Sequence, residues 1–250
     1  MKNLIKVELL KLRTTPALYI CAGIVGALTV VSVVANILLA GKSGAPALGT
    51  VENVNKVFSV AALSTMVALA IGIVTIAGEY RHRTILGSYL AEPRRGRVAV
   101  AKLATAGGIG AITGAAAFGM AAAVAIPMFA AKGVHHLPID IGRMWWGATL
   151  ASACFGMLGV ALGSAARHTV GAIIGAIIWV QVIEVSVLQP AIPSLAKWLP
   201  TGAGVALTSS GKDTAALLAP GPAALVLLAW AGVLTFVAAK VSLNREVPVG

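Results

Sequence analysis

Six uninterrupted apolar runs limit what this chain can become. They cover about residues 17–40, 57–78, 104–130, 145–165, 169–189 and 222–240. Each is close to or above the roughly 20 residues that cross ~30 Å of hydrocarbon as a helix. In lipid the backbone must satisfy its own polar groups, which leaves helices or closed barrels. Barrel strands alternate apolar and polar residues, and these runs do not alternate. The expected fold is therefore an all-α membrane protein with six transmembrane helices.

Composition points the same way. The chain is 58% hydrophobic and only 11% charged, against about 25% charged residues in soluble domains. Its formal charge is +11, which in a soluble protein would point to nucleic acid. Here the basic residues gather at the ends of apolar runs. Membrane topology and anionic lipid head groups account for them, and no nucleic-acid partner is expected. The two cysteines, Cys21 and Cys154, both fall inside apolar runs, so no disulfide framework is expected. The first run is longer than the roughly 7–15 residues of a signal-peptide core, so it is expected to stay in the mature protein.

The basic residues also orient the chain. With the N-terminus inside, thirteen of the 19 lysines and arginines lie on the inner side and the other six on the outer side. This bias predicts both termini in the cytoplasm. Residues 1–15 carry Ile5, Leu9 and Leu12 on one helical stripe with Lys2, Lys6 and Arg13 beside it. They read as an interfacial helix or as a basic cytoplasmic tail. Residues 190–221 hold Pro190, Pro193, Pro200 and Pro220. Prolines forbid one continuous helix there, so short helices folded back against the outer face are expected. No segment is long enough for a separate soluble domain, and residues 1–250 read as one transmembrane domain.

The inner segment between the second and third runs is the most distinctive stretch. It spans residues 79–103, and Arg81, Arg83, Arg94, Arg95, Arg97 and Lys102 face only Glu79 and Glu92 there. A short apolar centre, Ile85–Leu90, is followed by a turn at Glu92–Pro93. Topogenic charge alone would need the arginines but not the ordered apolar centre. A hairpin lip that docks on a soluble partner uses both, with arginines meeting acidic groups.

One ionisable residue stands within an apolar run. Glu184 lies about one turn from the outer end of the fifth run, and Gln181 three residues earlier is expected on the same helix face. A mid-membrane carboxylate costs about 2.5–3.5 kcal/mol on insertion scales, so it must face protein or a wet cavity. It reads either as a substrate or gate contact, or as a buried polar staple tying the fifth span to the proline-rich segment. Small residues recur at four-residue spacing in Gly110/Gly114, Ser152/Gly156, Gly159/Gly163 and Gly171/Gly175. Such pairs let helices approach closely in lipid.

The chain shows no catalytic machinery of its own. Gly41-Lys42-Ser43 has the ending of a phosphate loop, but Asn36 stands at the leading glycine position. No Gly-x-Ser-x-Gly nucleophile elbow is present. His135, His136 and Asp140 lack metal-site spacing, so no metal and no catalytic residue is expected.

Three segments together resemble the permease subunit of type-2 ATP-binding-cassette transporters, a family made up mostly of exporters. They are VELLKLRTTPAL near the N-terminus, then GEYRHRT with Pro93-Arg94 and Ala101-Lys102, then VIEVSVLQP with Lys197-Trp198-Leu199-Pro200. Val185 stands where relatives often carry proline. The resemblance implies a multi-pass protein of the cytoplasmic (inner) membrane, with no ATPase of its own. It implies that Glu79, Arg81, Arg83, Thr84, Pro93, Arg94, Arg95 and Arg97 belong to a coupling helix docked on a cytoplasmic ATPase subunit. ATP and Mg would sit on that partner, and a second permease copy or a related permease would complete the membrane unit among its lipids. Efflux of substrate would follow. Lipids, hydrophobic drugs, peptides and ions are all compatible with the bundle. An ion-coupled carrier usually places several ionisable groups within its spans, and Glu184 alone is offered here. The carrier, and a structural or regulatory membrane partner, are the alternative readings.

Overall fold

In the computed structural model the described residues are 6–8, 10, 16–42, 44–81, 95–166, 168–210 and 217–244. They are almost wholly helical, and among them there is no strand. The helices are α1 (Pro16–Leu38), α2 (Val51–Ser59), α3 (Leu63–Arg81), α4 (Arg95–Ala131), α5 (Ile141–Ala166) and α6 (Thr169–Ile177). Three short helices follow, α7 (Gln189–Ala191), α8 (Pro193–Ala196) and α9 (Pro200–Thr208), and then α10 (Pro220–Asn244). A 3-10 turn, Val60–Ala62, joins α2 to α3, and a π-helical stretch, Ile178–Leu188, continues α6. Among the described residues six helices are long and apolar enough to cross a membrane.

The central element is α5. Its small residues bring two neighbours into backbone contact. A Cβ built on Gly110 or Gly114 of α4 would strike α5 at Ser152 or Ala148, and one on Gly156 of α5 would strike Ala106. On the other side, Gly72 of α3 lies against Gly156 and Gly159, and Gly163 lies against Ile73. These pairings make α4 antiparallel and α3 parallel to α5. Three of the four small-residue pairs in the sequence therefore lie in tight interfaces. The fourth does not, because a Cβ on Gly175 would meet open space. Lipid tails are as apolar as side chains, so close packing of this kind replaces the hydrophobic drive available in water.

Two apolar cores flank α5. One gathers Val33, Ile37, Phe58, Phe118 and Phe129 from α1, α2 and α4, with Phe58 and Phe118 stacked at 5.2 Å. The other joins α3, α5, α6, α9 and α10 through Ile73, Phe155, Ala176, Leu207 and Leu227. Ser64 and Ser152 share a buried hydrogen bond of 2.8 Å between α3 and α5.

Two elements differ from the sequence expectation. First, α4 begins at Arg95, nine residues before the expected edge of the third span, and runs for 37 residues. At about 1.5 Å per residue it is roughly 55 Å long, longer than a hydrocarbon core. Arg97 and Lys102 are thus helical residues, not loop residues. The Ala/Val-rich sequence from Val98 to Leu103 keeps the helix going, and Lys102 finds carboxylate partners that let it stay inside. Second, the proline-rich region does not simply fold back on one face. Pro193 and Pro200 do start new short helices, but α9 is inserted into the bundle, with seven of its nine residues from Pro200 to Ala206 reading Pro-Thr-Gly-Ala-Gly-Val-Ala and nearly all buried. Gly202 lies against the Ala196 carbonyl and Leu207 against Gly147. Larger side chains would hold this helix off.

Candidate functional site

The bundle has one end marked by buried ions and another marked by the inserted helix α9. At the first end three distant segments supply one charged residue each. Lys102 of α4 is 2% exposed. Its Nζ lies 2.7 Å from Glu79 Oε1, near the end of α3, and 3.0 Å from Glu8 Oε2 in the N-terminal segment. Glu8 and Glu79 are buried as well. Burying charges is tolerated only when they are paired and hydrogen-bonded, and losing one partner of such a group costs about 3–5 kcal/mol. The cluster therefore ties residues 6–8, the end of α3 and the first turns of α4 into one unit. Residues 82–94 connect the two helices that it joins.

The other residues expected to dock on a partner divide into three groups. Arg81 and Arg95 end α3 and begin α4. Arg97 is an exposed residue of α4. Arg83, Thr84, Pro93 and Arg94 lie outside the described residues. Sequence reasoning placed Glu79 and Lys102 in this region but did not pair them, and it gave Glu8 no contact. The available signal was a lone lysine in VAVAKLATAG, an apolar helical run where a charge needs a partner.

Toward the other end, Glu184 is the hub. It is 1% exposed. Its Oε2 accepts from the backbone N–H of Thr201 at 3.1 Å and from the Thr201 hydroxyl. Its Oε1 accepts from the indole N–H of Trp179. Thr201 is in the first turn of α9, so the carboxylate meets the positive end of that helix dipole. At the opposite end of α9, the Arg143 guanidinium donates to the Ser209 carbonyl at 2.6 Å. The same strand of chain is held by Asn55, whose side chain exchanges two hydrogen bonds with the backbone of Ser210. A nine-residue helix buried among apolar neighbours thus has an anion at its N-terminal end and a cation at its C-terminal end.

The π-helical stretch changes which residues share a face. In an i→i+5 helix, residues five apart stack, as residues four apart do in an α-helix. Trp179 and Glu184 are five apart and bond to each other. The Ser186 hydroxyl donates to the carbonyl of Gln181, again five back. Gln181 and Glu184, three apart, are consequently separated. Gln181 is exposed and Glu184 is buried, so the α-helical expectation that they lie on one face is corrected.

They open onto different cavities. One, of about 710 Å³, lies between α3, α5, α6 and α10 and includes Glu184, Trp179 and Trp230 in its wall. Its polar atoms are already engaged, since Trp179 binds Glu184 and the Trp230 indole donates to the Trp198 carbonyl at 2.9 Å. What remains of that wall is hydrocarbon. The other cavity, of about 440 Å³, lies between α1, α2, α3, the π-helical stretch and α9, and includes Gln181, Asn36 and Lys56. It is flanked by the two irregular segments, Val60–Ala62 and Ile178–Leu188. Interruptions of this kind in long helices frequently mark hinges and functional sites.

At the start of α6, His168 caps the helix by accepting from the Gly171 N–H at 3.1 Å. It is a local start signal for that span. No protein-family model matches the chain, and no curated protein matches it.

Proposed function

We propose that this chain is the membrane-embedded permease subunit of an ATP-binding-cassette transporter, working as an exporter in the cytoplasmic membrane with both termini inside. A separate cytoplasmic ATPase supplies the hydrolysis, with ATP and Mg bound there. A second permease, identical or related, completes the unit. The segment from Glu79 to about Arg97 docks on the ATPase, and residues 1–15 lie in the membrane interface.

One observation carries this reading. Glu8, Glu79 and Lys102 come from two of the three segments that suggested the family, and they meet in one buried ion cluster. A push on residues 82–94 acts on α3 and α4, the two helices that the cluster clamps, and reaches the N-terminal segment through Glu8. That is the arrangement needed by a conduit moved from outside itself. Against an ion-coupled carrier, Glu184 has both oxygens bonded to Trp179 and Thr201, so this carboxylate is committed to holding α9.

The test is affinity purification of the full chain from its native membranes. Wild type should bring down a vanadate-sensitive ATPase activity. The variant Arg94→Glu/Arg95→Glu/Arg97→Glu should purify equally well without that activity. Undiminished ATPase activity in the variant overturns the docking role. Vectorial transport by the purified chain in liposomes with no nucleotide overturns the whole reading.

A further inference from the structure

We infer that the cavity of about 440 Å³ between α1, α2, α3, the π-helical stretch and α9 is a binding site for an anionic amphiphile, with Lys56 receiving the negative head group. Its wall is divided by chemistry. Lys56, Ser59, Ser32 and Asn36 line one part, and Leu63, Met66, Phe155 and Val180 line another, interrupted by Thr65, Gln181 and Thr201. Met66 follows Lys56 by ten residues, about 15 Å along a helix. The cavity thus sets a charged group at Lys56 against a wall that is mostly hydrocarbon further along.

The charge in it has one sign. Among the described residues Lys56 is the one charged residue in the wall, and no carboxylate lines it. Lys56 is exposed. Among the described residues it forms no ion pair, whereas Lys102 forms two. Glu52, one turn back on α2, does not line the cavity. The neighbouring hydroxyls are turned to backbone, Ser59 to the Lys56 carbonyl at 3.0 Å and Thr65 to the Ala62 carbonyl at 2.6 Å. Their protons are used. The remaining donors in the wall are the Lys56 ammonium, the Ser32 hydroxyl and the Gln181 amide, which is exposed on the π-helical stretch. Donors without acceptors beside a low-polarity pocket select a negatively charged or strongly accepting head group. A cationic amphiphile would face an ammonium with no compensating carboxylate in the wall. The larger cavity makes the contrast, because its polar atoms are already satisfied and it offers no such handle.

As a statement about substrate class this rests on the transporter reading, but the binding itself needs no ATPase. It is tested on the full chain in phosphatidylcholine nanodiscs by equilibrium dialysis, with empty discs subtracted. The probes are dodecyl phosphate and dodecyltrimethylammonium, which share a tail and differ in charge. Dodecyl phosphate should bind saturably and the cation should not. Lys56→Gln should weaken the phosphate by roughly tenfold or more, the scale of a hydrogen bond to a charged group. Lys56→Arg should retain it, and Lys197→Gln, which leaves the cavity wall unchanged, should have no effect. Ala62→Phe should block the site by filling it. Adding phosphatidylglycerol to the discs identifies the source: competition assigns the site to a bilayer lipid, and its absence to a soluble amphiphile. No saturable binding of dodecyl phosphate, equal binding of the cation, or a Lys56→Gln effect under twofold overturns the proposal. None of these results depends on whether an ATPase docks at the basic loop.

Discussion

Glu184 Oε2 receives both the backbone N–H and the hydroxyl of Thr201, 17 residues further along the chain. This one carboxylate joins the π-helical end of the fifth span to the buried helix α9. Replacing it with alanine strands the Thr201 N–H and the Thr201 hydroxyl in a buried place and removes the partner of the indole of Trp179, an exposed residue. Each abandoned buried donor costs about 1–3 kcal/mol. Glu184→Ala should therefore lower the thermal unfolding midpoint in detergent sharply, and Glu184→Gln, which keeps one acceptor oxygen, should fall between it and wild type. The same series reports on function. If Glu184→Gln stays folded and transports normally, a substrate role for the carboxylate is excluded and the staple remains.

The ion cluster makes a different pattern of variants. Lys102→Met leaves Glu8 and Glu79 facing each other in a buried space, and should cost about 3–5 kcal/mol. The neutral combination Lys102→Met/Glu8→Gln/Glu79→Gln should recover much of that, because a buried ionic group replaced as a whole is often close to neutral. Unfolding midpoints of the full chain in one detergent give the comparison. A triple variant no more stable than Lys102→Met alone would mean that the cluster does not act as a unit.

Close helix contacts predict which glycines tolerate a methyl group. A Cβ on Gly72 would meet the backbone of Gly156 and Val160, and α3 and α5 would have to part. Overpacking of this kind costs about 1–3 kcal/mol and sometimes more. Gly72→Ala and Gly147→Ala should reduce the yield of folded protein and the unfolding midpoint. Gly175→Ala, with nothing within 4 Å of the new atom, should change neither. Equal tolerance at Gly72 and Gly175 would contradict the packing of α3 on α5.

Much of the architecture could be read from residues, for a physical reason. A run long enough to cross hydrocarbon has few options, so the six apolar runs became six long helices. The start of α4 was misjudged because Lys102 looks like a boundary until Glu8 and Glu79 are placed beside it, and a partner 94 residues away in sequence, Glu8, leaves no local mark. The π-helical register of Ile178–Leu188 was hidden because the stretch is apolar nearly all round and shows no face. Gln181 and Glu184 were paired by α-helical spacing and lie apart for that reason. The insertion of α9 was only half visible. Pro200 marked a helix start, and Gly202, Ala203 and Gly204 signalled close approach. Nothing local named Glu184 and Arg143 as the groups at its two ends.

The ions and the cavity give opposite predictions for the two faces of the membrane. If residues 82–94 meet a cytoplasmic ATPase, the end of α4 at Gly96 faces the cytoplasm and Lys132, just past its other end, faces outward. Both positions are exposed. In a chain with Cys21→Ser and Cys154→Ala, a membrane-impermeant maleimide should label Lys132→Cys in intact cells. Gly96→Cys should react only after the membrane is opened. Lys56 would then lie on the outward side with the polar mouth of its cavity, where a released amphiphile leaves the protein. The reverse labelling would put the basic loop outside, where no ATP-driven partner exists, and would remove the transporter reading together with the role given to Arg94, Arg95 and Arg97.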